Sequence, residues 1–447
     1  MSKQKDKRWR LIACIALATI LCLGMALPAF AAGEPIYGTP ENPADAAITK
    51  MLSMPIGTTT PTTSFVFDIA KKSLDGVSTP TELAKMPGIM SKTVSFTTGD
   101  AGYVAGGTKY VPKESPNTLF DGISWGQAGV FIYTVKENKT LSTPAYPIKD
   151  PVTDFVREDM MYTTAEYDVA VYVVPDEDGN LYAYAISATL MVKGLETAEV
   201  DDKVDPTPGG DPEIEGDYSK MIFTNIYVKN KGGTTPDYTT FVLSKVVTGT
   251  DVTGSMRLET IFPFQVKVTK PALVTGAPVY KAYVIDADGN IMDTIPTAMT
   301  TGTIGNDGTY DYIAFPSGEL IPVNILHGEK LQFIDLHVGA SVEATEDTPT
   351  GYTPSYQLTL DDSPKPVQPG AQNTPLGFPS DKDPGVKYIG EGSNKADFTN
   401  RYQMTTPTGI SVDSLPYIAL IAAAVLALAV FVGFAAVKSR RKAKHGA

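Results

Sequence analysis

Short stretches in which apolar and polar residues alternate recur through the central part of the chain, between Gly33 and Met404. Clear examples are residues 64–69, 130–135 and 167–173, which are rich in β-branched and aromatic side chains and are separated by Gly, Pro, Asp and Asn. A period of two residues between such turn formers is typical of the strands of a β-sandwich. The same region shows no sustained 3.6-residue apolar period, so we predict an all-β protein.

The length of this region and a weak internal repeat indicate two domains. About 370 residues is too many for one sandwich, and a turn-rich segment at 230–236 divides them. Each half ends in Phe-Thr-Asn-x-Tyr, at 223–227 and at 398–402. We therefore predict two tandem immunoglobulin-like β-sandwich domains, 33–229 and 237–403, that arose by duplication of one domain type.

Several segments between the predicted strands are expected to be loops. Segments 200–217 and 361–394 are rich in Pro, Gly and Asp and precede the closing strand of each domain, so we expect surface loops there. Two Asp-rich segments, 176–180 and 286–290, resemble the first half of a calcium loop. Both lack the glutamate at the twelfth position, and hairpin turns are the favoured interpretation.

Both ends of the chain carry the features of processing segments. Residues 1–31 combine a basic start, an apolar run and Ala-Phe-Ala at 29–31, which is typical of a secretory signal peptide. Residues 415–437 form a nearly uninterrupted apolar segment that is long enough to cross a membrane as a helix. The basic tail at 438–447 is expected to stay in the cytoplasm.

Composition excludes several classes of function. Both cysteines, Cys14 and Cys22, lie in the predicted signal peptide, so the exported chain cannot be hardened by disulfides. The formal net charge of −13 becomes about −21 when the two terminal segments are removed, which argues against nucleic acid as a partner. The chain has three histidines and no Gly-rich phosphate loop, and we expect neither a metal nor a cofactor.

A lysine in the second half is placed where its charge is costly. Residues 241–249 alternate as a strand, and Lys245 lies on the apolar side of it. Glu346 ends a later strand, and Asn400 lies in the last one. If the three meet in the core, burial lowers the pKa of the lysine and raises the pKa of the glutamate. A neutral amine can then attack the carboxamide and release ammonia, which predicts an isopeptide bond between Lys245 and Asn400 with Glu346 as its catalyst.

These features resemble the major backbone pilins of Gram-positive sortase-assembled pili, of the streptococcal two-domain type with intramolecular Lys-Asn isopeptide bonds. The matching motifs lie at 241–249, 336–346 and 398–400 in the second half, and at 48–52, 129–137 and 223–225 in the first. The resemblance implies CnaB-like domains and a second bonded pair, Lys50 with Asn225, assisted by Glu137. Few residues match around Lys50, and Lys71 or Lys72 remain alternatives to it.

The C-terminal segment resembles a cell-wall sorting signal. Its motif at 405–410 reads Thr-Thr-Pro-Thr-Gly-Ile, and the resemblance implies that a sortase cleaves between Thr408 and Gly409. The usual leading Leu is missing, which points to a dedicated pilus sortase. Polymerisation then requires an exposed lysine as acceptor. Lys220 is the candidate because it lies just ahead of the closing strand of the first domain, and Lys203 is its rival.

The resemblance implies a structural subunit and not a turnover enzyme. Its expected partners are a pilus-type or housekeeping sortase, further copies of itself and peptidoglycan, with minor pilins or a host ligand as additional candidates. The expected location is a wall-anchored surface pilus, reached through a transient membrane anchor. The alternative is a monomeric sortase-anchored adhesin built from the same domains. A hydrolase is disfavoured, because the spacing reveals no pair of carboxylates.

Overall fold

The computed structural model describes most of the two predicted domains and little of the chain ends. The described residues are 37–209, 215–250, 257–379 and 388–402, with helical positions at 420, 421, 423–428 and 430. The predicted signal peptide, the sorting motif at 405–410 and most of the predicted span at 415–437 lie outside them. Among the described residues, no helix has both the length and the apolar character that a membrane crossing requires.

The first domain is built from strands, several of which alternate buried and more exposed residues, whereas β1 is buried at every position. Its elements are β1 (Thr49–Pro55), β2 (Thr63–Leu74), α1 (Pro80–Leu83), β3 (Lys92–Phe96), β4 (Tyr103–Ala105), β5 (Thr108–Glu114), β6 (Gly129–Thr143), β7 (Ile148–Lys149), β8 (Val156–Met161), β9 (Glu166–Pro175), β10 (Leu181–Val192), β11 (Lys203–Val204) and β12 (Ile222–Lys229). In β12 every second residue from Phe223 to Tyr227 is buried, as the period of two predicts.

Two sheets face each other across the core of this domain. Their strand orders are β4-β5-β1-β12-β8-β7 and β11-β10-β9-β6-β2-β3. The first and last strands, β1 and β12, pair in parallel, with Lys50 opposite Phe223. The other described pairs are antiparallel. The core between the sheets is rich in aromatic side chains, including Phe67, Tyr133 and Tyr167.

The second domain repeats this plan. Its strands are β13 (Phe241–Thr248), β14 (Phe262–Thr269), β15 (Val279–Ile285), β16 (Ile304–Asn306), β17 (Asp311–Pro316), β18 (Leu320–Ile325), β19 (Lys330–Phe333), β20 (Ser341–Glu346), β21 (Tyr352–Leu360), β22 (Ser363–Pro364), β23 (Gln368–Pro369), β24 (Leu376–Phe378) and β25 (Lys395–Tyr402). The prediction of an all-β sandwich fold is confirmed.

The sheets of the second domain also bring its first and last strands together. One sheet has the order β16-β17-β15-β19-β13-β25-β21-β22, with β23 also paired to β21, and the facing sheet has the order β18-β14-β20-β24. The strands β13 and β25 pair in parallel, with Lys245 opposite Phe398. Each domain therefore has its own core and its own parallel pair of terminal strands.

Segment 361–394 departs from the prediction of a surface loop. It contributes β22, β23 and β24 to the two sheets. Phe378 and Ile389 from this segment are buried in the core of the second domain. Segment 200–217 likewise contributes β11, which pairs with β10. Strands of two or three residues are too short to show an alternating pattern, and for that reason the sequence did not reveal them.

The two Asp-rich segments use their carboxylates to close turns. Asp176 Oδ1 accepts hydrogen bonds from the backbone N–H groups of Asp178 and Asn180, both at 2.8 Å, in the hairpin between β9 and β10. Asp286 accepts from the equivalent groups of Asp288 and Asn290. The prediction of turns at these positions agrees with these contacts. Within the part of the chain that the structure describes, no cluster of His, Cys, Asp or Glu is suited to hold a metal.

Polar contacts join the two domains where the closing strand of the first meets the second. Lys229, at the end of β12, forms a 2.6 Å ion pair with Glu391. Glu391 also accepts a hydrogen bond from the backbone of Thr59, at 2.8 Å. The backbone N–H of Val338 donates to the Lys229 carbonyl oxygen at 2.9 Å. These contacts hold the two domains together next to the segment that connects them.

We predict that Gly339→Ala separates the domains. Gly339 has a φ of +81°, and a Cβ there would lie 2.4 Å from Pro55 Cβ of the first domain. The alanine would carry backbone strain of about 1 kcal/mol and would also force the interface apart. The expected result is faster proteolysis of segment 230–236. The control is Gly318→Ala, because Gly318 has a φ of +88° and no atom within 4 Å of its Cβ position. Equal proteolysis in both variants would contradict the interface described above.

Candidate functional site

In the first domain, the parallel pairing of β1 and β12 places Lys50 and Asn225 side by side. Lys50 is opposite Phe223, and Asn225 is two residues further along the same strand. Since side chains alternate between the faces of a strand, Phe223 and Asn225 point to the same face. Lys50 and Asn225 are both completely buried. The register therefore brings the predicted amine and the predicted carboxamide to one place in the core.

The facing sheet supplies the third member of this group. Glu137, on β6, reaches across the core, and its side chain is 1% exposed. Lys50 Nζ donates to Glu137 Oε2 at 2.6 Å, and Asn225 Nδ2 donates to Glu137 Oε1 at 2.9 Å. One carboxylate thus contacts both groups that the predicted bond would join.

The second domain holds the same arrangement. Lys245 Nζ donates to Glu346 Oε2 at 2.6 Å, and Asn400 Nδ2 donates to Glu346 Oε1. Here too the lysine and the asparagine lie on the parallel first and last strands, and the glutamate lies on the facing sheet. All three side chains are fully buried. The offset between lysine and asparagine is identical in the two domains, since Lys245 is opposite the residue two before Asn400.

Burial shifts the pKa of both lysines. Desolvation lowers the pKa of Lys50 to about 8 and that of Lys245 to about 8, against the attraction of the neighbouring glutamate. The ammonium of Lys245 lies 4.0 Å from the centre of the Phe262 ring, and that of Lys50 lies 4.7 Å from the ring of Phe65. Burial likewise raises the pKa of Glu346. The surroundings therefore favour the uncharged amine at both lysines, and the uncharged carboxyl of Glu346 at the second site.

The alternatives to Lys50 lie elsewhere. The Lys72 side chain is 46% exposed and pairs with Asp168, and Lys71 Nζ donates to the carbonyl oxygen of Leu83. Both belong to β2, in the sheet that faces β1 and β12. Among the described hydrogen bonds, none links Lys71 or Lys72 to Asn225 or to Glu137. Lys50 and Asn225 both donate to Glu137.

The two sites differ at the oxygen of the carboxamide. Asn225 Oδ1 accepts a hydrogen bond of 2.8 Å from the backbone N–H of Thr163, which Glu196 holds through its side chain. Asn400 Oδ1 is buried and has no hydrogen-bond partner among the described residues. Thr163 and Glu196 could not be predicted from the sequence, because both lie in loops where no periodic pattern marks an inward side chain.

The candidate acceptor lysines are both exposed. Lys220 lies just before β12, its Nζ donates to the Gly216 carbonyl oxygen at 2.5 Å, and it lies 4.7 Å from the centre of the Tyr218 ring. Lys203 is on the edge strand β11. Thr408 and Gly409 lie outside the described residues.

Comparison with known proteins gives matches to isopeptide-containing domains and pilins. The family model "FctA: Spy0128-like isopeptide containing domain" matches residues 46–228. The crystal structure of the major pilin from Streptococcus pyogenes is 19% identical, with a TM-score of 0.29, over 81% of this chain and 100% of that one. The major pilin protein T3.2 of Streptococcus pyogenes is 15% identical, with a TM-score of 0.27, over 80% of this chain and 99% of that one.

A bacterial adhesin from Mobiluncus mulieris with disulfide, isopeptide and ester cross-links is 11% identical, with a TM-score of 0.19. That likeness covers 80% of this chain and 100% of the adhesin. No curated protein sequence matches the chain. The family match covers the first domain from before β1 to Val228, one residue before the end of β12. It supports the resemblance to isopeptide-bonded domains that the sequence motifs indicate, because residues 46–228 are similar to a Spy0128-like isopeptide-containing domain.

Proposed function

We propose that the chain is the backbone subunit of a covalently polymerised pilus, and that each domain closes itself with an isopeptide bond between its first and last strands. The observation that carries the proposal is the buried contact of one glutamate with both a lysine and an asparagine, repeated in two domains. A buried lysine is costly to keep charged, and its conversion to an amide removes that cost.

Bond formation follows from the contacts at each site. At the second site, Lys245 passes a proton to Glu346 and becomes a neutral amine, which attacks Cγ of Asn400. A bond forms between Nζ and Cγ, and the bond from Cγ to Nδ2 breaks. Of the two protons that leave Nζ, one passes through Glu346 to Nδ2, which departs as ammonia, and the other remains on the carboxyl. Glu346 is suited to both transfers, because its two oxygens contact Nζ and Nδ2.

The position of the bond has a mechanical consequence. A cross-link between Lys245 and Asn400 would close residues 245–400 into one covalent loop. Such a loop would stabilise the domain by about 5 kcal/mol through the entropy of the unfolded chain. A load applied at the C-terminal end would pass from β25 through the cross-link to β13. The hydrogen bonds of residues 246–399 would then carry little of it.

Subunits would be joined by a sortase through Thr408 and a lysine of the next subunit. We favour Lys220, because it lies five residues before Asn225 on the path into the closing strand of the first domain. Its exposed amine faces no described carboxylate at ion-pair distance. Peptidoglycan would receive the last subunit, and the polymer would stand on the cell surface. The subunit would perform no turnover catalysis beyond its own two bonds.

We predict that the exported chain, residues 33–404, is about 34 Da lighter than its sequence, because two ammonia molecules are lost. Intact-mass spectrometry measures this deficit directly. Asn225→Ala and Asn400→Ala would each leave one loss of about 17 Da after correction for the substitution.

The matched controls are Glu137→Gln and Glu346→Gln, which keep the shape of the glutamate and both asparagines but cannot transfer the proton. Each should abolish the bond of its own domain and leave the other intact. A wild-type mass equal to the calculated mass would contradict the proposal.

At the second site, we predict a bell-shaped dependence of the bond-forming rate on pH. The reaction needs a neutral amine and a protonated carboxyl, that is, one proton shared by Lys245 and Glu346. Below the raised pKa of Glu346 both groups are protonated, and above the pKa of about 8 of Lys245 both have lost their protons. The rate should fall about tenfold per pH unit above pH 8.

The measurement is the time course of ammonia loss at the second site, followed as a mass decrease of about 17 Da. The chain is recovered unfolded and uncross-linked and then refolded at a series of pH values. A rate that keeps rising above pH 9 would contradict a role for the carboxyl proton, since it would require only the free amine.

For the acceptor, we predict that Lys220→Arg abolishes polymerisation in the producing cell, because arginine keeps the charge but offers no amine nucleophile. Wall extracts would show the monomer in place of a high-mass ladder. The control, Lys203→Arg, should leave the ladder intact. Loss of the ladder in Lys203→Arg alone would make Lys203 the acceptor. A wild-type chain without any ladder would favour the monomeric adhesin.

A further inference from the structure

A second layer of hydrogen bonds surrounds Asn225 in the first domain. The backbone N–H of Thr163 donates to Asn225 Oδ1 at 2.8 Å. Thr163 lies in the short segment between β8 and β9 and is 8% exposed, and Asn225 is fully buried. The donor therefore points at the carboxamide oxygen from a site that excludes water. Since the other end of the carboxamide faces Glu137, this contact also fixes which end is the oxygen.

One buried carboxyl group holds this donor in position. Glu196 is 6% exposed, and its Oε1 accepts from the hydroxyl of Thr163 at 2.7 Å and from the backbone N–H of Thr224 at 2.8 Å. Its Oε2 accepts from the backbone N–H of Gly194 at 3.0 Å. Thr224 is the chain neighbour of Asn225. Glu196 thus binds Thr163, which supplies the donor, and also Thr224, the neighbour of the acceptor Asn225.

The second domain provides an internal comparison. Its lysine and asparagine contact the shared glutamate in the same way as those of the first domain. Asn400 Oδ1 nevertheless has no hydrogen-bond partner among the described residues. A donor on the carboxamide oxygen is therefore not needed to assemble the three groups. In the first domain it is an additional feature, and it requires a separate explanation.

We propose that the backbone N–H of Thr163 stabilises the oxyanion that develops on Asn225 during isopeptide formation, and that Glu196 is the positioning residue for this donor. The inference rests on the proposed function, because it concerns the rate of the same reaction. It assigns a role to two residues outside the group of lysine, glutamate and asparagine.

The chemistry requires such a donor at one stage. When Lys50 Nζ attacks Cγ of Asn225, the electron pair of the carbonyl bond moves to Oδ1, which becomes negative. A preorganised N–H at hydrogen-bond distance stabilises this charge in a site without water. The pair then returns to the carbonyl, the bond from Cγ to Nδ2 breaks, and Nδ2 leaves as ammonia with the proton that Glu137 delivers. Because Thr163 holds the oxygen, Nδ2 stays directed at Glu137 throughout.

A purely structural role for Thr163 and Glu196 makes a different prediction. If the contacts only satisfied buried polar groups, their loss would lower the stability of the first domain and leave the rate of bond formation in the folded chain unchanged. The two interpretations are distinguished by the ratio of the bond-forming rate at the first site to the rate at the second site of the same molecule.

The experiment uses the full exported chain, recovered unfolded and uncross-linked, and follows both ammonia losses by mass spectrometry of digests after refolding. Two pairs of variants are compared. Thr163→Val removes the hydroxyl that Glu196 holds, and Thr163→Ser keeps it. Glu196→Ala removes the carboxyl, and Glu196→Gln keeps an oxygen that can accept from Thr163.

Removal of an oxyanion donor typically slows a reaction a hundredfold or more, and a loosened donor should have a smaller effect. We expect Thr163→Val and Glu196→Ala to slow the first site roughly tenfold relative to the second. Thr163→Ser and Glu196→Gln should stay within about threefold of the wild-type ratio, since they keep the donor in place. Thermal unfolding of each refolded variant reports stability separately.

An unchanged ratio of the two rates in Thr163→Val would overturn the inference, as would an equal slowing in Thr163→Ser. If Glu196→Ala fails to fold, the pair at Thr163 carries the comparison. A wild-type chain that loses no ammonia at either site would instead remove the proposed function itself. If instead the wild type forms both bonds and the variants do not alter the rates, the proposed function stands and only the role of Thr163 and Glu196 is overturned.

Discussion

In each domain the first and last strands run side by side in the same direction, and the chemistry depends on that pairing. Parallel neighbours cannot be joined by a tight turn, so the whole domain must fold before β1 meets β12 or β13 meets β25. The register then sets a lysine and an asparagine on neighbouring strands with a fixed offset. A reaction between them would therefore take place only in a folded domain.

The facing sheet adds a second condition. Glu137 and Glu346 come from strands that do not belong to the sheet of the lysine and asparagine, so the two sheets must be packed before the carboxyl reaches either group. The same packing removes water and shifts the pKa values of the lysines downwards. Core formation and activation of the nucleophile are thus one event, which explains why no external enzyme would be needed for this step.

The sequence was sufficient to predict the all-β fold, and strand alternation marked Lys245 as an inward position. The group of Lys50, Glu137 and Asn225 was named only through the family resemblance. The sequence left Lys71 and Lys72 as alternatives to Lys50. The structure has a register irregularity in β2 between Lys71 and Ser73, and such a break cannot be read from a pattern of period two. The short strands β22, β23 and β24 were also missed, because their positions depend on pairing with distant residues.

The loop residues that complete the first site could not be predicted from the sequence either. Glu196 follows β10 at a distance of four residues, in a segment with no alternation, and nothing in its neighbours marks an inward carboxyl. Its role depends on contacts with three separate parts of the chain. The contacts between the domains are of the same kind, since Lys229 and Glu391 are more than 150 residues apart in the sequence.

The central claim is that the buried lysines end as amides. Tandem mass spectrometry of a complete digest of the exported protein tests it most directly, because an isopeptide bond survives digestion and yields a branched peptide. We expect two branched peptides, one joining Lys50 to Asn225 and the other joining Lys245 to Asn400, each lighter than the sum of its parts by one ammonia. Recovery of both lysines in linear, unmodified peptides at full yield would contradict it.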